Sequence, residues 1–371
     1  MKKCKIHLIV ATRPNFVKIA PVYNALVEQS WCEPEVVYFT QHFSPEMSLD
    51  IARDLGMDDC QHIITLSENL QYGSRFGEIM AKYNSLLIND TPDLIVVPGD
   101  VDTSAAVAIC AKRKGLPVAH LESGLRSFDM TMPEEINRML IDSISDILLA
   151  PSNEARDYLV ATCAKPSDRV VNVGNIMIDS LVDVIDHEYG DKIIEEAGLL
   201  PHDYCMMTFH RPSNVDRQDA LEDVLRVIKY VAKNKNVVLP VHPRLKASLE
   251  KHNLLSELKS ISNLKLHSPM GYKKFINYMS KSSLIITDSG GVQEEAAFLK
   301  RVCLTFRDNT ERPQTVECGS NILVSPEDFY SQFDAIAATG YSINSVSDIP
   351  LWDGRTRFRV ANSLRFWWLQ K

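Results

Sequence analysis

Near its amino terminus the chain reads Ile6-His7-Leu8-Ile9-Val10-Ala11, then Thr12-Arg13-Pro14-Asn15, then the amphipathic segment Phe16–Gln29. Basic residues ahead of the apolar run give it the look of a secretory leader. The run is too short for one, however, and stops at Arg13 and Pro14, so it reads as a buried strand feeding a helix. The same alternation continues downstream. Further strands are expected at Glu35–Thr40, His62–Leu66, Leu94–Val97, Val118–Leu121 and Ile147–Ala150, with helices at Tyr72–Ile88, Thr103–Lys112 and Glu134–Ser145 between them. Strands separated by helices long enough for crossover connections imply an α/β fold with a mostly parallel sheet.

The pattern then starts again. Met206–Phe209, Val237–Pro240, Leu264–His267, Leu284–Thr287 and Val302–Thr305 read as strands, interleaved with helices near Ala220–Lys233, Arg244–His252, Lys273–Met279 and Val292–Leu299. A length of 371 residues exceeds what one hydrophobic core usually supports, roughly 250–300 residues. Two doubly wound, Rossmann-like domains facing a central cleft are therefore expected: residues 1–175 and 176–353, with the boundary near Val173–Asp186. Residues 354–371, which carry Phe366, Trp367 and Trp368, are expected to form a helix packing back on the first domain.

Composition narrows the function. With 45% hydrophobic and 24% charged residues the chain is neither disordered nor fibrous. Forty Lys and Arg against 48 Asp and Glu, a formal charge of -8, leave no basic footprint for nucleic acid. No apolar run approaches the ~20 residues needed to span a bilayer, so no membrane role is expected. The eight cysteines form no C-x-x-C pair and no zinc-like spacing, which points to reduced thiols and a cytoplasmic protein.

In open parallel sheets, ligands sit beyond the carboxyl ends of the strands, and several such positions here are chemically dense. Arg13 and Lys18 flank the start of the first helix, where an anion is favoured, although a solvated loop explains them equally well. Thr287-Asp288-Ser289-Gly290-Gly291-Val292-Gln293-Glu294-Glu295 joins a strand to a helix through adjacent glycines, as a phosphate cradle would. It matches neither the dinucleotide nor the P-loop motif. Glu294 and Glu295 either complement the helix dipole or accept from a ribose diol. Asp100, Glu122 and Glu134 offer three carboxylates for acid–base chemistry. Each also has a plain explanation: a helix cap for Asp100, a pair with Arg126 for Glu122, a first helical turn for Glu134. His210 and His242 follow strands and suit phosphate oxygens as donors; without a third ligand at suitable spacing, no metal is expected with them. Phe275 and Arg312 read either as binding residues or as core packing and a loop charge.

Taken in order, Thr-Arg-Pro, Gly-Asp, His-Leu-Glu-Ser-Gly-Leu-Arg, Pro-Glu-Glu-Ile-Asn-Arg, Gly-Asn-Ile-Met-Ile-Asp, Pro-Val-His-Pro, Asp-Ser-Gly-Gly-Val-Gln-Glu-Glu and Thr-Glu-Arg-Pro resemble the non-hydrolysing UDP-N-acetylglucosamine 2-epimerases. The resemblance runs from Thr12 to Gly354 and departs from the family pattern at Ala11, Asn15, Thr40 and Val101-Asp102. It implies the glycosyltransferase-B architecture, with the sugar facing the first domain and the nucleotide held by the second. It also implies that Asp100, Glu122 and Glu134 are catalytic and that His210 stabilises departing UDP. Arg13, Lys18, Arg138, His242, Ser289, Gly290, Gly291 and Arg312 would surround the UDP-sugar, Glu295 would hold the ribose, and Phe275 would pack near uracil. Gln41 and Arg211 would contribute to a regulatory site for a second UDP-N-acetylglucosamine. A homodimer is implied too.

The implied reaction interconverts UDP-N-acetylglucosamine and UDP-N-acetylmannosamine by eliminating UDP to give 2-acetamidoglucal and then adding it back, without a cofactor. Two alternatives stand beside it: 2-epimerisation of a modified sugar such as a diacetamido uronate, and glycosyl transfer by an enzyme of the same architecture.

Overall fold

The computed structural model describes residues 2–41, 52–57, 60–68, 70–163, 165–341 and 346–371. The chain forms two compact units, one of Met1–Asp183 with Pro350–Lys371 and one of Val184–Ile349.

The first unit is built on a seven-stranded sheet, ordered β3-β2-β1-β4-β5-β6-β7 and parallel throughout. Its strands are β1 (Cys4–Val10), β2 (Cys32–Gln41), β3 (His62–Leu66), β4 (Leu94–Pro98), β5 (Val118–Leu121), β6 (Ile147–Ala150) and β7 (Val170–Asn172). Because helices cover the sheet, its central strands are apolar on both faces, and Leu94 to Pro98 are buried without a break. Helix α1 (Arg13–Val27) begins at Thr12, with Asn15 completing a capping box and Pro14 in the first turn. The crossovers continue with α2 (Tyr72–Asn89), α3 (Asp102–Arg113), α4 (Pro133–Ile144), α5 (Asn153–Thr162) and α6 (Ile176–Val184).

The second unit repeats the plan with six parallel strands, ordered β10-β9-β8-β11-β12-β13. These are β8 (Tyr204–Thr208), β9 (Asn236–Pro240), β10 (Leu264–His267), β11 (Leu284–Thr287), β12 (Val302–Phe306) and β13 (Asn321–Val324). Leu221, Leu225, Ile228 and Val231 of one amphipathic helix (Gln218–Asn234) pack on Met207, Leu239 and Ile286 of the sheet. The edge strands β7 and β13, absent from the sequence expectation, are short and only partly buried. Among the described residues, no helix is long and apolar enough to cross a membrane.

The division between units falls at the end of α6, and the buried Asp179 carboxylate in that helix accounts for its position. It accepts hydrogen bonds from the backbone N–H groups of Thr356 (3.1 Å) and Arg357 (2.9 Å) and from Arg357 Nε (3.1 Å). The C-terminal helix (Thr356–Leu369) is thereby capped from α6. It lies against α1 and buries Val360, Ala361, Leu364 and Trp367, while Phe366 stays exposed. Gly174 takes part in the same return: its φ is +87°, and a Cβ there would lie 2.5 Å from the Leu351 carbonyl. Replacing Asp179 with Ala should cost about 3 kcal/mol in urea unfolding, because it leaves two helix N–H groups without their acceptor and takes from Arg357 one of its two carboxylate partners, Asp183 being the other. It should also expose the C-terminal helix to limited proteolysis. Unchanged stability would show that the helix is held by its apolar face alone.

Candidate active site

Strand order reverses direction beside β1/β4 in the first sheet and β8/β11 in the second, so the loops leaving those strands diverge and leave a gap in each sheet. Most of the expected site residues lie on these loops or next to them.

In the first unit, Glu122 follows β5 with φ +71°, a left-handed backbone that a non-glycine residue rarely adopts. Its amide is bonded to Leu149 O at 3.0 Å, which fixes the side chain's direction, and its carboxylate forms an ion pair with Lys18 from α1. Gly99, at the end of β4, makes this pair possible. Its φ is +58°, and a Cβ would come within 2.9 Å of Lys18 Nζ and 3.2 Å of Glu122 Oε2. Arg126 pairs with Asp142 at 2.6 Å, which leaves Glu122 to Lys18.

Asp100 does not cap α3, whose N-cap is Val101; its carboxylate receives Arg138 at 2.6 Å. Arg138 is buried and also donates to Glu135 at 2.9 Å. Burial alone would raise the pKa of Glu135, but the Ser127 and Phe128 amides and Arg138 outweigh it and hold the carboxyl below its ordinary value. Glu134 is exposed in the first turn of α4, one helical turn before Arg138. Arg13 is exposed in the first turn of α1. Gln41 ends β2, but its side chain lies outside the described residues, as does His42.

A buried network missed in the sequence holds these loops. His120 Nδ1 meets Asp142 at 2.6 Å and its Nε2 meets the Gly99 carbonyl at 2.8 Å, while Asp142 also accepts from Gly124 N and Arg126. Burial opposes the Asp142 charge, but His120 and Arg126 more than offset it and the carboxyl titrates low. Asn137 Nδ2 adds a bond to Asp100 O at 2.9 Å. The only hint in the sequence was position, since His120 precedes Leu121-Glu122 and Asp142 lies one helical turn past Arg138.

In the second unit the buried Asp288 carboxylate, just past β11, organises the site. It accepts from the amides of His210 and Arg211, from Asn214, and from His210 Nδ1 at 2.9 Å. Burial pushes its pKa up, but these donors overcome that and leave it low. With Nδ1 engaged, Nε2 is the nitrogen of His210 left to meet a ligand. The His242 ring lies 5.3 Å from that of His210; its Nδ1 accepts from Arg244 N, which makes Nε2 its donor. Ser289 is the N-cap of the following helix (Gly290–Phe298). A Cβ at Gly291 would meet nothing within 4 Å, and one at Gly290 only Glu311 Oε2 at 3.9 Å. Neither backbone strain nor packing calls for these glycines, so the bare helix N-terminus is open to an anion.

Three arginines surround this end of the sheet. Arg211 donates Nε to the Asp288 carbonyl, Arg307 grips Glu311 with both nitrogens (2.8 and 2.9 Å), and Arg312 Nε meets Glu294 at 2.8 Å. Glu295 is buried and accepts from Tyr272 at 3.0 Å. Phe275, half-buried, sits one turn further along the helix of Tyr272 (Tyr272–Lys281).

Two outcomes follow. Gly99→Ala should destabilise the protein by roughly 1–3 kcal/mol in urea unfolding, through left-handed strain and collision with the Lys18–Glu122 pair. A neutral substitution would mean that the loop relaxes freely. Burial works against the Glu311 charge, but Arg307 brings its pKa down to about 2 from an ordinary 4.5. Its contribution to stability is therefore complete above pH ~4.5 and is lost as pH falls toward 2. Glu311→Gln should flatten that acid limb of the thermal melting curve, and an unaltered limb would contradict the pairing.

The family model described as UDP-N-acetylglucosamine 2-epimerase matches residues 24–365. The UDP-N-acetylglucosamine 2-epimerase of Methanocaldococcus jannaschii is 35% identical over 325 residues, covering 86% of this chain and 88% of that protein. A UDP-2,3-diacetamido-2,3-dideoxy-D-glucuronate 2-epimerase of Pseudomonas aeruginosa is 34% identical over 323 residues, with the same coverage of both chains. The crystal structure of the Methanocaldococcus jannaschii enzyme in complex with UDP-GlcNAc and UDP superposes with a TM-score of 0.83 at 32% identity, covering 98% of this chain and 99% of that one. The expected two-sheet α/β architecture of the glycosyltransferase-B type is therefore the fold of this chain. By sequence and by structure, it belongs to the UDP-N-acetylglucosamine 2-epimerase family.

Proposed function

We propose that the protein is a non-hydrolysing 2-epimerase that interconverts UDP-N-acetylglucosamine and UDP-N-acetylmannosamine. The observation that carries this reading is the second unit's anion site: His210, fixed by Asp288, beside an open, glycine-bare helix N-terminus and three arginines. Such a site suits a diphosphate whose charge grows as it departs.

The hydrogen on the second ring carbon of the sugar adjoins no carbonyl and is only weakly acidic. If the anomeric C–O bond to UDP breaks first or concurrently, positive charge on the ring makes that hydrogen removable by a carboxylate. The bond electrons leave with UDP, the C–H electrons form the ring double bond of 2-acetamidoglucal, and the proton goes to the base. Re-protonation from the opposite face and return of UDP to the anomeric carbon complete the inversion.

In this reading Asp100, Glu122 and Glu134 provide proton transfer on the two faces, while Lys18, Arg138 and Arg13 set their surroundings. His210, His242, Ser289 and the Gly290 and Gly291 amides stabilise the diphosphate together with Arg312, the Ser289 amide itself being held by the Thr287 hydroxyl at 3.0 Å; Glu295 holds the ribose, and Phe275 lies near the base. A homodimer, a cytoplasmic location and activation by a second UDP-N-acetylglucosamine near Gln41 and Arg211 belong to the same proposal. The similar identity of the Pseudomonas aeruginosa relative keeps a diacetamido uronate as the second candidate sugar.

Incubation with UDP-N-acetylglucosamine in heavy water, with no acceptor, should place deuterium at the second ring carbon. A label appearing only with the diacetamido uronate would move the assignment to that sugar, and none with either would remove it. Glu134→Gln should nearly abolish exchange while UDP binding, followed calorimetrically, survives; retained exchange would mean another group moves the proton. His210→Ala should slow turnover roughly 10²–10³-fold, as loss of an oxyanion-type donor does. A near-normal kcat would reject its role.

A further inference from the structure

The first unit holds a second constellation, in the amino-terminal half of its sheet, that the proposed chemistry leaves unused. His7 in β1 lies beside Glu35 in β2 in the strand register, His62 opens β3, and Asp90 ends α2 on the face they share. His62 Nε2 lies 3.1 Å from Glu35 Oε2 and 2.8 Å from Asp90 Oδ2; His7 Nε2 lies 3.6 Å and 3.2 Å from the same two oxygens. All four ligand atoms fall within 4.8 Å of one another.

An ion with tetrahedral bonds of ~2.0–2.1 Å separates its ligands by roughly 3.3 Å, close to these spacings. The groups around the cluster also suit a metal. Lys5 takes the outer oxygens, Glu35 Oε1 at 2.9 Å and Asp90 Oδ1, which leaves one inner oxygen of each carboxylate for a central ion. His7 Nδ1 is engaged by the buried Tyr83 hydroxyl at 3.1 Å, the outer-shell bond that orients a ligating imidazole.

We propose that His7, Glu35, His62 and Asp90 bind one divalent transition-metal ion, zinc fitting best, as a structural clasp joining β1, β2, β3 and the end of α2. Two imidazole ligands disfavour calcium and magnesium, and four protein ligands close the coordination shell as in structural rather than catalytic sites. Edge strand β3 has only one neighbour in the sheet, so the clasp gives it a second attachment.

The test uses the full chain, stripped by chelation under native conditions and titrated with zinc against a chromophoric indicator. One equivalent per chain should bind, and the X-ray absorption edge spectrum should show nitrogen and oxygen neighbours with histidine scattering and no sulfur. Zinc at ~100-fold excess over its Kd should raise Tm by several degrees. His62→Ala and Asp90→Asn alter half-exposed positions; each should weaken binding at least tenfold and remove the zinc-dependent rise in Tm, with the circular dichroism spectrum retained. Substoichiometric binding, sulfur ligation, or equal affinity in both variants would overturn the site. A cluster stabilised by protons alone would show a pH-dependent Tm with no response to zinc, which would also overturn it.

Discussion

A parallel sheet whose strand order turns back on itself must open a gap where the two winding directions part, and the polar chemistry of this protein is arranged around that constraint. The gap lies beside β1 and β4 in the first unit and beside β8 and β11 in the second. The bodies of the central strands β4 and β11 are sealed by helices and carry apolar side chains. Several charged groups near the gaps are held by named partners: Glu122 by Lys18, Asp100 by Arg138, His210 by Asp288, and, after the neighbouring β12, Glu311 by Arg307.

Those partners are as informative as the groups they hold. Asp288 receives backbone amides and the ring of His210 together, so one buried carboxylate sets both the loop path and the histidine tautomer. His120 does the corresponding work in the first unit by joining the Gly99 carbonyl to Asp142. A loop held this way can keep Glu122 in a strained backbone conformation, because relaxing one residue would break bonds in several others. Conformational strain and buried charge coincide at the site where pre-organised acid–base groups are proposed.

The order of strands and crossovers was legible because apolar periodicity reports burial, and burial in a parallel sheet is continuous. The short edges β7 and β13 were not: Val170-Val171-Asn172 and Asn321-Ile322-Leu323-Val324 offer only two or three successive apolar residues. Asp100, Glu122, His210 and the Ser289–Gly291 turn were legible from their places after strands. The supports His120, Asp142, Asp288 and Tyr272 were not singled out for their roles, because a buried hydrogen bond depends on what the fold brings near, and spacing along the chain does not record it. One quoted motif, Gly174 to Asp179, proved structural at both of its ends. Asp179 in Gly-Asn-Ile-Met-Ile-Asp caps the C-terminal helix, and Gly174 makes room for Leu351. The cluster of His7, Glu35, His62 and Asp90 was invisible for the same reason, its members being scattered over three strands and a helix end.

Everything proposed for catalysis rests on cleavage of the bond between the anomeric carbon and the diphosphate, with UDP retained long enough to return. UDP-N-acetylglucosamine carrying oxygen-18 in that bridging position provides the most direct measurement. Reversible elimination makes the β-phosphate oxygens equivalent, so the label should migrate to non-bridging positions in recovered substrate, as seen in the phosphorus-31 spectrum. Epimerisation with the label still wholly in the bridge would mean that the proton moves while the bond stays intact, contradicting the mechanism at its first step.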